Sequence, residues 1–232
     1  MCGVGPIRLS PVRSQTAPEG QMSLPDRMSD RWQNRPEPAP GEGAVSWHML
    51  MRDYPEVVNL ARQAQQRLAG FDGLHMTPLQ WLHITTLLAG PAADFSPDKL
   101  RQMTETATDL LAGTPPAAVT LGQVLYHPEA ITLGVTPAET LTGIYNAARS
   151  ATHQVTGEHA PDGNPARWRP HITVCYSTSS QPAKPIIEAL GTQLPGCDID
   201  IRALSVVVQH GPERAWDWSV VSTIRLATSA RA

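Results

Sequence analysis

The tripeptide His-Ile-Thr occurs twice in this chain of 232 residues, at positions 83–85 and 171–173. Each copy lies in a short run rich in apolar and β-branched residues, a pattern that predicts a strand. The copies are 88 residues apart, with similar segments around them. This repeat predicts two similar halves, each of which contributes one equivalent strand.

Strand geometry gives the tripeptide a chemical meaning. Side chains alternate between the faces of a strand, so His and Thr point the same way while Ile points into the core. If the halves are related by an approximate twofold axis, two imidazoles and two hydroxyls face each other across a groove. A neutral His can take a proton from water while a protonated His gives one to a leaving oxygen. The Thr hydroxyls can donate hydrogen bonds to phosphoryl oxygens, so the set suits phosphoester chemistry.

The order of predicted elements indicates an α+β fold with antiparallel sheets, because helices and strands do not alternate steadily and hairpin turns occur. Ser96 is the expected N-cap of one helix, and Thr136 to Glu139 form an expected capping box for the next. The predicted strands cover 45–51, 79–88, 119–126, 130–135, 171–177, 201–209 and 216–226, and the predicted helices cover 55–69, 97–112, 136–154 and 185–194.

Residues 1–42 are predicted to form a disordered, proline-rich tail, and residues 43–232 a single folded domain. The tail holds seven of the 22 prolines and shows no hydrophobic periodicity. Its proline-rich runs cannot start a helix or pair as a central strand.

The doubled His-x-Thr motif, with one copy in each half, resembles the 2H phosphoesterase superfamily, specifically its 2′-5′ RNA ligase-like (cyclic phosphodiesterase) group. The resemblance covers about residues 44–228 and includes the closing Trp216-Asp217-Trp218 run. It implies a bilobal, pseudo-twofold α+β fold, with two antiparallel sheets flanking a central cleft and helices outside. It also implies hydrolysis of 2′,3′-cyclic phosphates of nucleotides or RNA ends to 2′-phosphates, and reversible 2′-5′ ligation is known in the family.

The same resemblance assigns roles to the motif residues. His83 and His171 would be catalytic, with His83 donating a proton to the leaving 3′ oxygen and His171 accepting one from water. Thr85 and Thr173 would bind the phosphate. Both histidines must exchange protonation states in each turnover.

Two residues beside the motifs are candidates for contact with the substrate. Arg169 shares a face with the second motif histidine if that strand begins early enough, which would bring a guanidinium to the phosphate. Because Pro170 lies between the two residues, a solvated loop position is equally open for Arg169. Trp81 is expected on the face of the first motif histidine, where its ring can stack on a base. Tyr176 is expected to face the core. Cys175 is expected on the histidine face, without a base that would make it a nucleophile.

No metal or cofactor is expected. The three cysteines lie far apart without CxxC spacing, which argues against a cysteine-built zinc site. Neither tripeptide has carboxylates clustered beside it to complete a histidine-based site. Among the other histidines, His48 on the first strand and His75 in the loop before the first motif strand could each reach the cleft, but a polar surface role is favoured for both. A metal-dependent hydrolase stays open as a weaker alternative that a chelator would expose.

The charge balance favours a small partner. The chain has 18 basic and 21 acidic residues, whereas a protein that grips long nucleic acid usually carries a basic stripe. We therefore expect a small nucleotide or an RNA terminus bearing a cyclic phosphate, no long nucleic-acid footprint, and a monomer. No apolar run approaches the roughly 18 to 20 residues of a membrane span and no signal peptide is evident, so we expect a cytoplasmic protein without membrane contact.

A catalytically inactive nucleotide- or RNA-end-binding module on the same fold is the main alternative. The two hypotheses differ in whether both imidazoles face one cleft at a spacing that fits a single phosphate.

Overall fold

The computed structural model of the chain describes residues 24–35, 38–39, 42–157 and 167–227. Within these ranges no helix is long and apolar enough to cross a membrane. The helices are α1 (Pro55–Leu68), α2 (Pro97–Leu110), α3 (Thr142–Thr156) and α4 (Lys184–Leu190). The strands are β1 (Arg27–Met28), β2 (Ala44–Leu50), β3 (Leu74–Met76), β4 (His83–Pro91), β5 (Ala117–His127), β6 (Ala130–Thr136), β7 (His171–Ser177), β8 (Gln181–Pro182), β9 (Gln193–Ile201), β10 (Ala203–Gln209) and β11 (Trp218–Arg225).

The main sheet has nine strands in two lobes that meet at its centre. Its order is β11-β10-β2-β4-β7-β6-β5-β9, with β3 added beside β7. The central strands β4 and β7 are joined through one residue pair, Ile84 opposite Ile172. All the pairings are antiparallel, so the expected α+β class with antiparallel sheets is confirmed. The resemblance implies two sheets; in the structure this single residue pair joins them into one sheet with two lobes.

The helices are exchanged between the lobes. Helix α1 follows β2 of the first lobe but packs on β7 and β9 of the second, beside α4. Helix α3 follows β6 of the second lobe but packs on β4 of the first, beside α2. Their buried apolar residues belong to one core that runs through both lobes. Each lobe therefore depends for its core on a helix that enters from the other.

The C-terminal strands complete the first lobe. The sequence order puts β10 and β11 at the end of the second half, yet β10 pairs with β2 and β11 with β10. Most of β9 is not predicted from the sequence, because Pro195 and Gly196 interrupt its apolar pattern. An edge strand tolerates such residues, and β9 lies at the edge beside β5. Beyond a register shift in its pairing with β5, its buried residues alternate as a strand requires: Cys197, Ile199 and Ile201.

Of the two predicted helix caps, one is confirmed and one is wrong. The Ser96 hydroxyl accepts a hydrogen bond from the Lys99 amide at 3.3 Å, which is the expected N-cap. Thr136 instead ends β6, where it pairs with Thr120. Because position 136 is extended in the sheet, the chain must turn before α3 begins at Thr142, so no capping box forms.

The prediction of a disordered tail is wrong for residues 24–35, here called the N-terminal segment; residues 1–23 lie outside the described ranges. Strand β1 pairs with β8, and Met28 is fully buried in the main core. The Ser29 amide donates to the carbonyl of Pro128 at 2.7 Å, and the Arg31 amide donates to the carbonyl of Ser177 at 2.9 Å. Composition pointed to disorder, but one apolar anchor and these backbone bonds hold the segment on the domain.

Replacing Met28 with Ala should destabilise the protein by about 2–4 kcal/mol, because it removes a fully buried side chain from a packed core. Urea unfolding followed by circular dichroism measures the change. Leu24→Ala is the matched control, since Leu24 is 48% exposed and should cost no more than about 0.5 kcal/mol. Equal, negligible effects of both substitutions would contradict the docking of this segment.

Candidate active site

The two tripeptides lie side by side at the junction of the lobes. Their central isoleucines pair with each other and are fully buried. At this antiparallel register His83 lies across from Thr173, and His171 lies across from Thr85. All four side chains therefore share the open face of the sheet, opposite the helices. The histidines are diagonal neighbours, a relation that places residues about 7–8 Å apart in a regular sheet.

A β-bulge follows each tripeptide directly. The pairing of β4 with β2 skips Thr86, and the pairing of β7 with β6 skips Val174. A bulge adds one residue to a strand and shifts the alternation beyond it. The repeat thus extends past the tripeptides to the backbone irregularity that ends each of them.

The bulge at Val174 makes two predictions wrong. Cys175 lies in the apolar core rather than on the histidine face, and burial raises the pKa of its thiol to about 12. Such a thiol stays protonated and is not a nucleophile. Tyr176 is buried as expected, but on the opposite side from the main core, where it packs with Trp216 and Trp32.

The backbone orients both histidine rings in the same way. His83 Nδ1 lies 2.7 Å from the carbonyl oxygen of Trp81, and His171 Nδ1 lies 2.9 Å from the carbonyl oxygen of Arg169. A carbonyl oxygen only accepts hydrogen bonds, so Nδ1 of each ring carries the proton and donates it. The lone pair of each neutral ring is then on Nε2, the nitrogen that remains for proton transfer.

Both Trp81 and Arg169 precede their strands. The strand geometry expected for Trp81 is therefore wrong, and the early strand start on which the Arg169 geometry depended does not occur. Trp81 ends a short 3-10 turn, and its ring meets Trp218 edge-on at 5.4 Å between centroids. Strand β7 begins only after Pro170, so alternation does not direct the exposed Arg169 side chain. The Arg169 guanidinium donates to the carbonyl of Trp168 at 3.4 Å. Trp81 and Arg169 nevertheless have equivalent roles in the backbone, because the carbonyl of each orients the motif histidine two residues later.

His83 sits among aromatic rings. It stacks on His48 at 4.1 Å between ring centroids, and Trp218 meets it edge-on at 4.5 Å. Part of the His83 ring stays accessible, but the neighbouring rings displace water. Burial therefore lowers its pKa to about 4, although the Trp81 carbonyl and the Glu213 carboxylate act to raise it. His171, by contrast, is exposed.

The role predicted for His48 as a surface residue is wrong. His48 is 5% exposed and lies opposite Thr85 on the neighbouring strand β2, which puts it in the floor of the site. Burial, and then the nearby His83, hold the pKa of His48 well below its usual value, so the ring is neutral. The side of β2 on which His48 lies could have been predicted from strand alternation, because its neighbours Trp47 and Met49 face the core.

Trp216 neighbours both His83 and two further aromatic rings, those of His75 and Tyr176. Its ring lies 6.4 Å from His83 edge-on, and 6.4 Å from His75 with nearly parallel planes. Trp216 adopts a left-handed backbone conformation (φ 54°), which is rare for a bulky residue and is found where structure is held for function. His75 lies on β3 opposite Tyr176, in a strand rather than the expected loop, and is half-buried.

An ion pair holds the turn that carries Trp216. The Arg31 guanidinium donates to both Glu213 oxygens, at 2.7 and 2.8 Å, and lies 4.4 Å from the centroid of the Tyr176 ring. Burial alone would raise the pKa of Glu213, but the bonds and charge of Arg31 outweigh it and lower that pKa. The ion pair of Arg31 with Glu213 is not predicted from the sequence, because Arg31 lies in the region predicted to be a disordered tail.

A cavity of about 710 Å³ lies elsewhere on the molecule. Four of its lining residues are acidic and one is basic: Asp53, Glu56, Asp198, Asp200 and Arg202. Such a lining repels a phosphate, so this cavity does not compete with the histidine site for an anionic ligand. Among the described residues, no group of three or more His, Cys, Asp or Glu side chains is placed to hold a metal ion.

Comparison with known proteins agrees with this geometry. The family model of the 2′-5′ RNA ligase superfamily matches residues 55–213, a range that includes both tripeptides. The chain belongs to the 2′-5′ RNA ligase superfamily. The expected relationship to the 2H phosphoesterases is thereby confirmed, and membership supports phosphodiesterase-type chemistry at the level of the superfamily. A search of curated proteins finds no match.

Solved structures share the superfamily fold at low sequence identity. The chain is similar to TT0787 of Thermus thermophilus (TM-score 0.60, 16% identity, 80% of this chain and 99% of that one). It is also similar to E. coli LigT complexed with 3′-AMP (TM-score 0.58, 14% identity, 80% of this chain and 99% of that one). A third similar structure is the PDE domain of MHV ns2 (TM-score 0.51, 11% identity, 72% of this chain and 99% of that one). At these identities the likeness concerns the fold.

The His83 ring should titrate near pH 4 in the free protein, because the surrounding rings disfavour its charged form. The imidazole therefore stays neutral at every pH well above that value. NMR titration of ring signals, assigned by their loss in His83→Gln, measures this. Trp218→Ala opens the ring to water and should move the midpoint up toward the ordinary value of about 6.5. A midpoint at that ordinary value in the unsubstituted protein would contradict the burial argument.

Proposed function

We propose that this protein is a metal-independent phosphodiesterase that hydrolyses 2′,3′-cyclic phosphates of nucleotides or RNA ends to 2′-phosphates. The observation that carries the proposal is the pair of imidazoles on adjoining strands. Each is tied by Nδ1 to the carbonyl two residues upstream, which leaves Nε2 for proton transfer.

The reaction needs one proton acceptor and one donor. The neutral imidazole takes a proton from a water molecule as the oxygen of that water attacks phosphorus. The bond from phosphorus to the 3′ oxygen breaks, and the protonated imidazole gives its proton to that oxygen, leaving a 2′-phosphate. The same sequence, with the 5′ hydroxyl of another RNA end attacking in place of water and the 3′ oxygen leaving, forms a 2′-5′ linkage and corresponds to ligation. Because the two rings cover both proton transfers, the scheme requires no metal.

Thr85 and Thr173 are the proposed phosphate ligands. Each lies across the strand junction from the opposite histidine, so one phosphate over the junction would be within reach of two hydroxyls and two imidazoles. Hydroxyl donors aimed at non-bridging oxygens stabilise the charge of the transition state. Arg169 and Trp81 are proposed at the rim, Arg169 through its exposed guanidinium and Trp81 through its half-buried ring.

The proposed substrate is a small nucleotide or the end of an RNA. Net charge is −3, which disfavours a long phosphate footprint. Solved structures of E. coli LigT hold 3′-AMP, ATP and NADP⁺, so a relative with this fold accepts small nucleotides. Both motifs come from one chain, and a monomer can therefore form the whole site.

The burial of His83 constrains how the two roles are divided. The resemblance gives His83 the donor role, yet its pKa of about 4 in the free protein leaves it neutral near pH 7. Donation by His83 therefore requires the bound phosphate to raise that pKa, since an adjacent anion favours the imidazolium. If the phosphate does not raise it, His83 is the acceptor and the exposed His171 the donor.

Replacing either His83 or His171 with Ala should lower kcat by about 10²- to 10⁴-fold, the usual contribution of one acid or base. The assay follows the four nucleoside 2′,3′-cyclic monophosphates and a short RNA ending in a cyclic phosphate, with EDTA present. Chromatography against 2′- and 3′-phosphate standards identifies the product, which should be the 2′-phosphate.

His153→Ala is the matched control, because His153 is exposed on α3 and should leave the rate unchanged. Activity that disappears with EDTA would indicate a metal-dependent hydrolase. Ligand binding without turnover on any of these substrates would favour the inactive binding module.

Binding of 3′-AMP should raise the pKa of His83 by about one unit or more if His83 is the proton donor, because the phosphate stabilises the charged ring. NMR titration of the assigned ring with and without ligand measures the shift. Thr173→Val removes one phosphate donor while keeping the shape, and should reduce ligand affinity together with the shift. An unchanged His83 pKa in the saturated complex would reverse the donor and acceptor roles.

A further inference from the structure

The N-terminal segment builds one wall of a second cavity, beside Trp216. This cavity measures about 480 Å³ and is lined by Asp30, Trp32, Gln33, His75, Thr178 and Arg214. Three of these residues precede position 55, where the match to the superfamily begins. The cavity is therefore partly made by chain that the family model does not contain.

Its position relates it to the histidine site. His75, in the cavity wall, and His83, in the site, each lie 6.4 Å from Trp216 between ring centroids. Trp216 therefore neighbours both the histidine site and the cavity. A ligand whose terminal nucleotide lies over the tripeptides would reach the cavity with the nucleotide next to it.

The chemistry of the lining suits a nucleobase. Trp32 and His75 offer flat ring surfaces, and bases stack on aromatic side chains without strong sequence preference. Asp30, Gln33 and Thr178 add hydrogen-bonding groups for the edge of a base. One carboxylate and one guanidinium give the lining no net charge, which favours a neutral planar group over a second phosphate.

The segment is fixed firmly enough to hold such a site. Arg31, between two cavity residues, bonds Glu213 in the β10–β11 connection and lies 3.4 Å from Glu129 in the β5–β6 turn. It therefore connects both lobes. The Asp30 carboxylate accepts from the Trp32 amide at 2.8 Å, which fixes the turn that presents the Trp32 ring against His75 and Tyr176.

We propose that this cavity is a subsite for the nucleobase next to the terminal nucleotide, so that the protein prefers RNA ends of at least two nucleotides over mononucleotides. The inference rests on the proposed function, because it takes the phosphate to lie over the two tripeptides. It narrows the substrate class from any cyclic phosphate to an RNA end.

Calorimetric binding of 3′-AMP and of the dinucleotide ApA 3′-phosphate tests the subsite without requiring turnover. The unsubstituted protein should bind the dinucleotide about fivefold more tightly or better, as expected for one stacked base. Trp32→Ala should remove that advantage and leave 3′-AMP affinity unchanged, whereas Trp32→Phe should keep most of it. Gln33→Ala should reduce it without disturbing packing, since Gln33 is exposed, and the exposed neighbour Asn34 provides Asn34→Ala as the unaffected control.

Three results would overturn the subsite. The first is equal binding of the two ligands, the second is a dinucleotide advantage that survives both Trp32→Ala and Gln33→Ala, and the third is an equal loss of both affinities in Trp32→Ala with native circular dichroism. Parallel assays with adenosine 2′,3′-cyclic phosphate and the cyclic-phosphate dinucleotide separate the two proposals. Trp32-dependent dinucleotide binding without hydrolysis contradicts the phosphodiesterase alone, and hydrolysis with no dinucleotide advantage contradicts the subsite alone.

Discussion

The pairing of Ile84 with Ile172 is the contact on which the rest of the site depends. It is the one backbone pairing between β4 and β7, and it lies at the centre of both tripeptides. Burying these two side chains puts all four polar motif side chains on the other face. A shift of one residue in this register would turn one set of His and Thr into the core. Hydrophobic burial thus fixes the polar arrangement.

The exchange of helices makes that single pairing sufficient. Strands joined at one residue would separate easily if each lobe had its own core. Here α1 packs on the second lobe and α3 on the first, so the lobes cannot part without exposing apolar surface. Arg31 adds a polar connection between the lobes, through Glu213 and Glu129.

Much of the fold was predictable, because hydrophobic periodicity and turn-forming residues are features of the local sequence. Strand β7 was predicted with its observed bounds, and α1 and α2 within two residues. The errors arise where long-range pairing overrides local pattern. The bulge at Val174 cannot be read from sequence, since it exists only relative to β6, and it moved Tyr176 and Cys175 to unexpected sides. The N-terminal segment was missed because its few apolar anchors, such as Met28, stand in a proline-rich context.

The backbone repeat does not make the two histidines chemically equivalent. Both rings are oriented by a carbonyl two residues upstream, yet His83 is crowded by Trp218 and His171 is exposed. The difference originates in the outermost strands. Strand β11 begins with Trp218, while β9, its counterpart at the other end of the sheet, has no aromatic residue. In the proposed mechanism one ring acts as acid and the other as base, and the aromatic residues on one lobe give the two rings the different surroundings that a symmetric repeat could not.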